Sequence, residues 1–285
     1  GSAAFKFLNI QTDARGAALG GLAAQASGAS ALFWNPAGIA GSEGMGFTAG
    51  MTQWIVSTNV MNTGFVMPMM GGVVGLSLVY VDYGEIMQAG WAGTSEFVFE
   101  PNQGSFTASD KALQFSYGKN LSDKFSIGGS AKYVSQIIAE TGIDGLAFDI
   151  GTQFNTGYRG IRMGAVISNF GADLESDAGE DISYEEYPAM SLPMTFSFGV
   201  VGEAIPGLNA GLNVLKQADL GQEFIVNAEY DISVASLRFS YNLNNPQQEL
   251  SVGAGVNLGG ISANLAMTMT QHFDNVMRLG IGYSF

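Results

Sequence analysis

The chain contains no cysteine, so neither a disulfide framework nor a thiolate metal site is open to it. That absence does not exclude an oxidising compartment. Charge is also scarce: Asp, Glu, Lys and Arg make up 13% of 285 residues, against a usual share of about 25%. The charge present is acidic, with a net value of −14, and leaves little to neutralise phosphates, which argues against nucleic acid as a partner. The single histidine, His272, supports neither a multi-histidine metal site nor a Ser–His–Asp arrangement. There is no P-loop, dinucleotide fingerprint or zinc motif. No apolar run approaches the ~20 residues of a transmembrane helix. On these grounds no catalysis, cofactor or metal is expected.

Glycine, by contrast, is abundant. The 40 glycines are about double the typical ~7%. Low charge, high glycine and no long apolar run fit a membrane β-barrel, in which alternation dilutes the apolar residues. A soluble all-β sandwich or solenoid is the competing class.

From residue 44 onward the pattern has period two. Fourteen strands are expected, at 44–53, 57–68, 73–83, 110–119, 124–138, 145–156, 161–170, 191–203, 207–216, 223–231, 234–242, 248–258, 261–270 and 275–285. Their typical length suits a tilted spanning strand of ~9–11 residues. In 248–258, Leu250, Val252, Ala254, Val256 and Leu258 share one face, while Ser251, Gly253, Gly255 and Asn257 share the other. Leu113, Phe115 and Tyr117 alternate in the same way with Gln114, Ser116 and Gly118. The polar face is mostly Gly, Ser, Asn and Gln, with the charges Lys132, Asp149, Arg162, Glu229 and Arg238. A solvated face would carry more Lys and Glu, so this face suits a lumen that also holds a plug.

Connection lengths point the same way. Turns at one end of the strands are short, and the two long connections, 84–109 and 171–190, both fall at the other end. A membrane barrel with tight periplasmic turns and longer outer loops has this asymmetry. Closure requires an even strand number, because an unpaired edge in lipid leaves backbone groups unsatisfied. Fourteen strands enclose a lumen wide enough to leak unless filled.

The filling is expected from residues 14–40, ARGAALGGLAAQASGASALFWNPAGIA. Residues 14–25 are rich in helix formers, Ser27-Gly28 breaks the run, and 29–34 gives a second short helix ending near Asn35 ahead of Pro36. The expected architecture is a plug segment at 1–43 and a barrel at 44–285, with the plug and both termini on the periplasmic side and the long loops extracellular. The start, Gly1-Ser2-Ala3-Ala4, reads as a processed start of an exported protein or as a cloning scar.

Two stretches resemble known signals. The ending with Arg278, Gly280, Tyr283 and Phe285 looks like the polar-x-Gly-x-x-aromatic-x-aromatic terminus that outer-membrane barrels present to their insertion machinery. Residues 14–40 resemble the N-terminal signature of the PorV/PorQ family, an AR-x-A-x-GG block followed by SAL-x-WNPAG. That family is related to the FadL long-chain fatty-acid transporters, whose N-terminal hatch carries Asn-Pro-Ala. Asn35, Pro36 and Ala37 match that element, and Ala31, Leu32, Trp34 and Gly38 extend the match.

The resemblance implies a fourteen-stranded outer-membrane barrel and a part in type IX protein secretion. It also implies partners: outer-membrane lipid, a larger translocon barrel, and the C-terminal domains of secreted cargo. The leading expectation is therefore an accessory, partner-docking component of that secretion system. The alternative is a FadL-like transporter of long-chain fatty acids or other hydrophobic small molecules. A lateral exit for such a substrate would need a kinked strand that the sequence does not locate.

Three candidate sites follow. Phe33, Trp34, Asn35, Pro36, Ala37 and Gly38 form either a ligand gate or a structural latch, in which Asn35 caps, Pro36 stops the helix and the aromatics pack. The connection at 171–190 carries seven carboxylates; their spacing matches no compact calcium loop, and Tyr184 and Tyr187 among them suit a partner contact better. The connection at 84–109 carries Trp91, Phe97 and Phe99, an apolar load that fits a contact patch or an inward lid.

Overall fold

The structure is a computed structural model, and it describes residues 3–56, 58–88, 104–174, 190–245 and 247–285. Fourteen antiparallel strands close on themselves, each pairing with its neighbours in sequence and β1 pairing with β14. They are β1 (Gly46–Gln53), β2 (Asn59–Met69), β3 (Gly72–Met87), β4 (Ser105–Asn120), β5 (Phe125–Ile138), β6 (Thr141–Asn155) and β7 (Arg162–Phe170) in the first half. The second half supplies β8 (Thr195–Ile205), β9 (Leu208–Gln217), β10 (Gln222–Ile232), β11 (Ala235–Asn242), β12 (Leu250–Leu258), β13 (Ile261–Thr268) and β14 (Val276–Ser284).

The period-two pattern becomes two faces. Leu113 and Phe115 are 54% and 53% exposed on the outside, while Gln114 and Ser116 between them are 5% and 0% exposed inside. Outward-facing side chains this apolar have no aqueous partner to satisfy; hydrocarbon is the solvent that suits them. Tight turns sit at one end: Met70-Gly71 and Gly259-Gly260 both take positive φ, as a two-residue hairpin matching strand twist requires.

Three expectations need correction. First, 84–109 is not wholly a loop: β3 runs on to Met87 and β4 starts at Ser105, across a bulge between Asp82 and Glu85. The bulge shifts the alternation by one place, so the extension does not read as a continuation of the pattern. As a result β3 to β6 have 14 to 16 residues and project past their neighbours at the long-connection end. Second, residues 14–25 do not form one helix. The α-helix α1 is only Ala14–Ala18, and Gly20 and Gly21 turn the chain with positive φ. The rest of the plug is 3₁₀ turns at Lys6–Asn9, Ala29–Phe33 and Pro36–Gly41. Third, the two ends of the chain do not share a side. Ala3 bridges Ser191, at the long-connection end, and Phe285 pairs with Met45 at the short-turn end.

From Ala4 the chain descends through the lumen. Phe5 and Phe7 pack with Val60, Val81, Val134 and Leu192 near the long-connection mouth. Below them the segment 13–41 folds across the lumen and leaves it at β1.

Candidate functional site

The plug, or hatch, has little regular structure, and its short turns leave several of its carbonyls without a backbone partner inside it. The wall satisfies them with side-chain amides. Gln114 donates to Leu32 O (2.9 Å), Asn120 to Ala40 O (3.1 Å), Gln153 to Ala26 O (3.0 Å), and Asn213 to Gly21 O (3.0 Å). This is the structural use of an amide-rich polar face. Inward-facing glycines complete it. A Cβ at Gly128, Gly151 or Gly164 would come under 3.0 Å from Pro36, Asn35 or Ala23. Glycine is required there because hatch backbone, or at Gly151 the Asn35 side chain, lies directly on wall backbone.

Asn35 is the centre of this arrangement. It is fully buried; its Nδ2 donates to Ala23 O (2.6 Å) and Thr152 O (3.1 Å), and its Oδ1 accepts from Ala37 N (3.0 Å). Pro36 follows at the first position of the next turn, where its missing N–H costs nothing. Asn35→Ala removes three hydrogen bonds. It leaves the Ala37 N–H without its acceptor, at about 1–3 kcal/mol, and Ala23 O with only the longer bond from Gln153 (3.4 Å). The expected result is a looser hatch and faster small-solute leakage. Unchanged swelling of vesicles carrying Asn35→Ala and Pro36→Gly would remove the latch from the account.

Charge fixes the other side of the hatch. Arg15 of α1 donates from Nε (3.0 Å) and Nη2 (2.7 Å) to Glu229 on β10, and Arg238 on β11 donates to the same carboxylate at 2.7 Å. Arg238 also reaches Asn264 at 2.8 Å. The hatch carboxylate Asp13 accepts from Gly16 N (2.8 Å) and Trp34 Nε1 (3.2 Å). Burial pushes its carboxyl above the usual range, opposed by the Gly16 N–H and Arg15. Arg15 also loses hydration, but Glu229, with Asp13 and Asp231 near it, raises its pKa overall. Arg278, 1% exposed, donates to Gln11 O (2.6 Å) and Thr268 (2.8 Å) and stands 5.8 Å from the Trp54 ring.

The hatch divides the lumen. On its short-turn side lies a polar cavity of about 340 Å³ lined by Asp13, Arg15, Glu229, Arg238 and Asn264. On its other side lie two smaller cavities of about 50 and 100 Å³ that share Leu8, Ile10, Phe33 and Lys132. The larger also meets Trp34, Asp149 and Asn169. Outside the barrel, an apolar depression of about 450 Å³ surrounds Gly129 between Tyr117, Ile127, Phe148 and Ile150, and Asp149 contributes to its lining too.

At that point the wall is irregular. Phe148 pairs with Phe170 and Ile150 with Ile167, so Ser168 and Asn169 together oppose Asp149. Such a bulge bends a strand and interrupts its ladder. Asn169 takes φ 57°, a conformation asparagine tolerates, and its N–H donates to Asp149 Oδ1 at 2.9 Å instead of to a ladder carbonyl.

The plug motif is therefore divided between two roles. Asn35, Pro36, Ala37 and Gly38 are buried hatch contacts, whereas Phe33 and Trp34 line cavities. The terminal signal divides too. Tyr283 and Phe285 face outward with ring centroids 4.5 Å apart, while Arg278 and Gly280 face the hatch. Trp91, Phe97, Phe99, Tyr184 and Tyr187 lie outside the described residues, as do most of the carboxylates of 171–190. Sequence reasoning missed the bulge, although Asn169 near the end of an apolar strand is the kind of residue that marks one.

No family model matches the chain, and no curated protein matches it by sequence. Solved structures do match in shape. The toluene transporter TodX of P. putida aligns with a TM-score of 0.66 at 12% identity over 92% of this chain and 96% of its own. The monoaromatic hydrocarbon channel CymD aligns at 0.63 and 13% identity over 99% of each. A Pseudomonas aeruginosa FadL homologue aligns at 0.61 and 13% identity over 97% of this chain and 99% of its own. At these identities the likeness establishes the fold alone: a closed fourteen-stranded barrel.

Proposed function

We propose that this protein sits in a bacterial outer membrane with its long connections outward and admits small apolar molecules, releasing them sideways through the wall. The observation that carries this reading is the position of Asp149. It lines both the cavity above the hatch and the apolar depression on the lipid face, at the one place where β6 and β7 lose register. A route straight through the hatch would lead into the polar cavity around Arg15 and Glu229, an unfavourable environment for an apolar molecule. TodX and CymD, alike in fold, are named for aromatic hydrocarbons. An upper cavity of about 100 Å³ is nearer to the ~150 Å³ that accommodates benzene in an engineered core than to the volume of a long acyl chain.

Uptake of labelled toluene into cells carrying the protein in their outer membrane tests the reading. The expected result is uptake well above that of cells without it, falling about tenfold (~1.4 kcal/mol in barrier) in Gly129→Leu, which fills the outer depression. Uptake no faster than in the control cells rejects the function. Full uptake in Gly129→Leu rejects the exit.

The second reading, partner docking in type IX secretion, rests on the resemblance of 14–40 to the PorV/PorQ signature. The matched residues Asn35, Ala37 and Gly38 are committed to hatch packing, so the match supports a shared plug without requiring a shared partner. In that reading Trp91, Phe97, Phe99, Tyr184 and Tyr187 are the candidate contacts. Co-purification of a much larger barrel or of cargo C-terminal domains from native membranes would establish it.

A further inference from the structure

The cavities above the hatch are apolar on the side of the descending chain and polar on the wall side. Among the described residues lining them, the only charged ones are Lys132 and Asp149. Lys132 sits on β5 and Asp149 on β6, offset so that their side chains meet diagonally inside the barrel. Lys132 Nζ lies 2.8 Å from Asp149 Oδ2 and donates to Asn169 Oδ1 at 2.7 Å. The other oxygen, Asp149 Oδ1, accepts from Asn169 N. The two side chains are 11% and 6% exposed. Asn169 is held in turn by Asn9 (3.3 Å), which also contacts Gln217 (2.7 Å) and Thr195 (3.2 Å).

Each charge is thus compensated. A free ammonium here would make the cavity a receptor for carboxylates, because an unpaired buried cation gains most from an anion. A free carboxylate would instead favour ammonium ligands. With the pair closed and Asn169 holding both partners, the cavity offers no net charge. A charged ligand has to break the pair or enter without a counter-ion, and both cost more than an uncharged ligand pays.

Resting on the transport reading above, we infer that Asp149 is the specificity-determining residue of this site: by neutralising Lys132 it tunes the cavity to uncharged ring-sized molecules and excludes carboxylates of the same shape. Lys132 supplies a latent anion site that Asp149 masks.

Three probes of one shape and different charge test this: toluene, benzoate and benzylammonium, measured by equilibrium dialysis against the purified full-length protein in detergent at pH 7. The wild type is expected to bind toluene at least about tenfold more tightly than either ion (~1.4 kcal/mol). Asp149→Asn is expected to improve benzoate binding about tenfold relative to toluene, and Lys132→Met with Asp149→Asn to abolish that gain. If the wild type binds benzoate as well as toluene, the masking is wrong while the transport reading stands. A preference for benzylammonium overturns it equally. Binding of none of the three removes the transport reading itself. The wild-type comparison is decisive even should Asp149→Asn fail to fold.

Discussion

Glu229→Gln will release the hatch. The carboxylate of Glu229 is the shared acceptor for Arg15 on the hatch and Arg238 on the wall, and it is 5% exposed. The neutral amide keeps the shape and removes the charge, leaving two guanidinium groups facing each other in a confined space. Breaking a buried ion pair by removing one partner costs about 3–5 kcal/mol. The barrel absorbs its share at Arg238, since its strands remain paired, and the Arg15 share is what releases the hatch. That share falls on the docking of α1, which enters the lumen as a short helix and has nothing but contacts to hold it. Planar bilayers carrying Glu229→Gln should show frequent large current steps that the wild type rarely shows. Trypsin added on the short-turn side should cut after Arg15, which wild-type protein protects. A triple variant with Glu229→Leu, Arg15→Met and Arg238→Met should close the barrel again, since apolar groups of similar volume replace a buried ion cluster without loss. Quiet bilayers for Glu229→Gln would show that the triad does not hold the hatch.

Gly128→Val and Gly164→Val should expel the hatch by a steric route. The first branched carbon would fall on the Pro36–Ala37 peptide in one case and on the Ala23 carbonyl in the other. Neither obstacle is a side chain that can swing away; both are backbone, held by Asn35 and Gln153. Overpacking of a tight site costs about 1–3 kcal/mol, and a backbone that cannot retreat puts these sites at the upper end. Gly142→Ala serves as the comparison. A Cβ there meets nothing nearer than 3.5 Å, and the change should stay within about 0.5 kcal/mol. Thermal unfolding in detergent, followed by tryptophan fluorescence because Trp34 sits in the hatch, separates the outcomes. The two valine variants should lose an early hatch transition and keep the later barrel transition. Equal melting of all three proteins would show that the glycines are not what lets the hatch fit.

The barrel was legible because alternation is a local property. Leu113 to Tyr117 and Leu250 to Leu258 carry it without reference to any other part of the chain, and in the structure these residues fall on the faces their parity assigns. The charged cluster was not. The strands expected at 223–231 and 234–242 leave 232–233 as the turn and set Glu229 opposite Ser236, whereas the chain turns at Ser233-Val234 and pairs Glu229 with Arg238. Lys132 and Asp149 were readable as inward-facing charges, but their meeting depends on a register set through Ala139-Glu140, and an alanine at φ 54° is not a turn signal. The helix expected over 14–25 failed because propensity is a weak prior. Gly20 and Gly21 are needed where the chain turns beside Ile225 and Asn213, and the wall dictates that turn.

By itself, the sequence determined that strands would form, how many, which face of each would meet lipid, and that a small-residue segment would fill the space they enclose. All of these follow from the identities of near neighbours and the two-residue repeat of a strand. Only the tertiary structure decided which end of the barrel receives Ala3, which carbonyls of the hatch meet Gln114, Asn213 and Arg278, and where the wall yields at Asn169. Contacts of the hatch depend on assembly of the whole barrel around it. Gln114 meets Leu32 from 82 positions away and Arg278 meets Gln11 from 267, and no local pattern encodes partners that distant. The bulge at Asn169 depends on the register that β6 and β7 adopt within that wall.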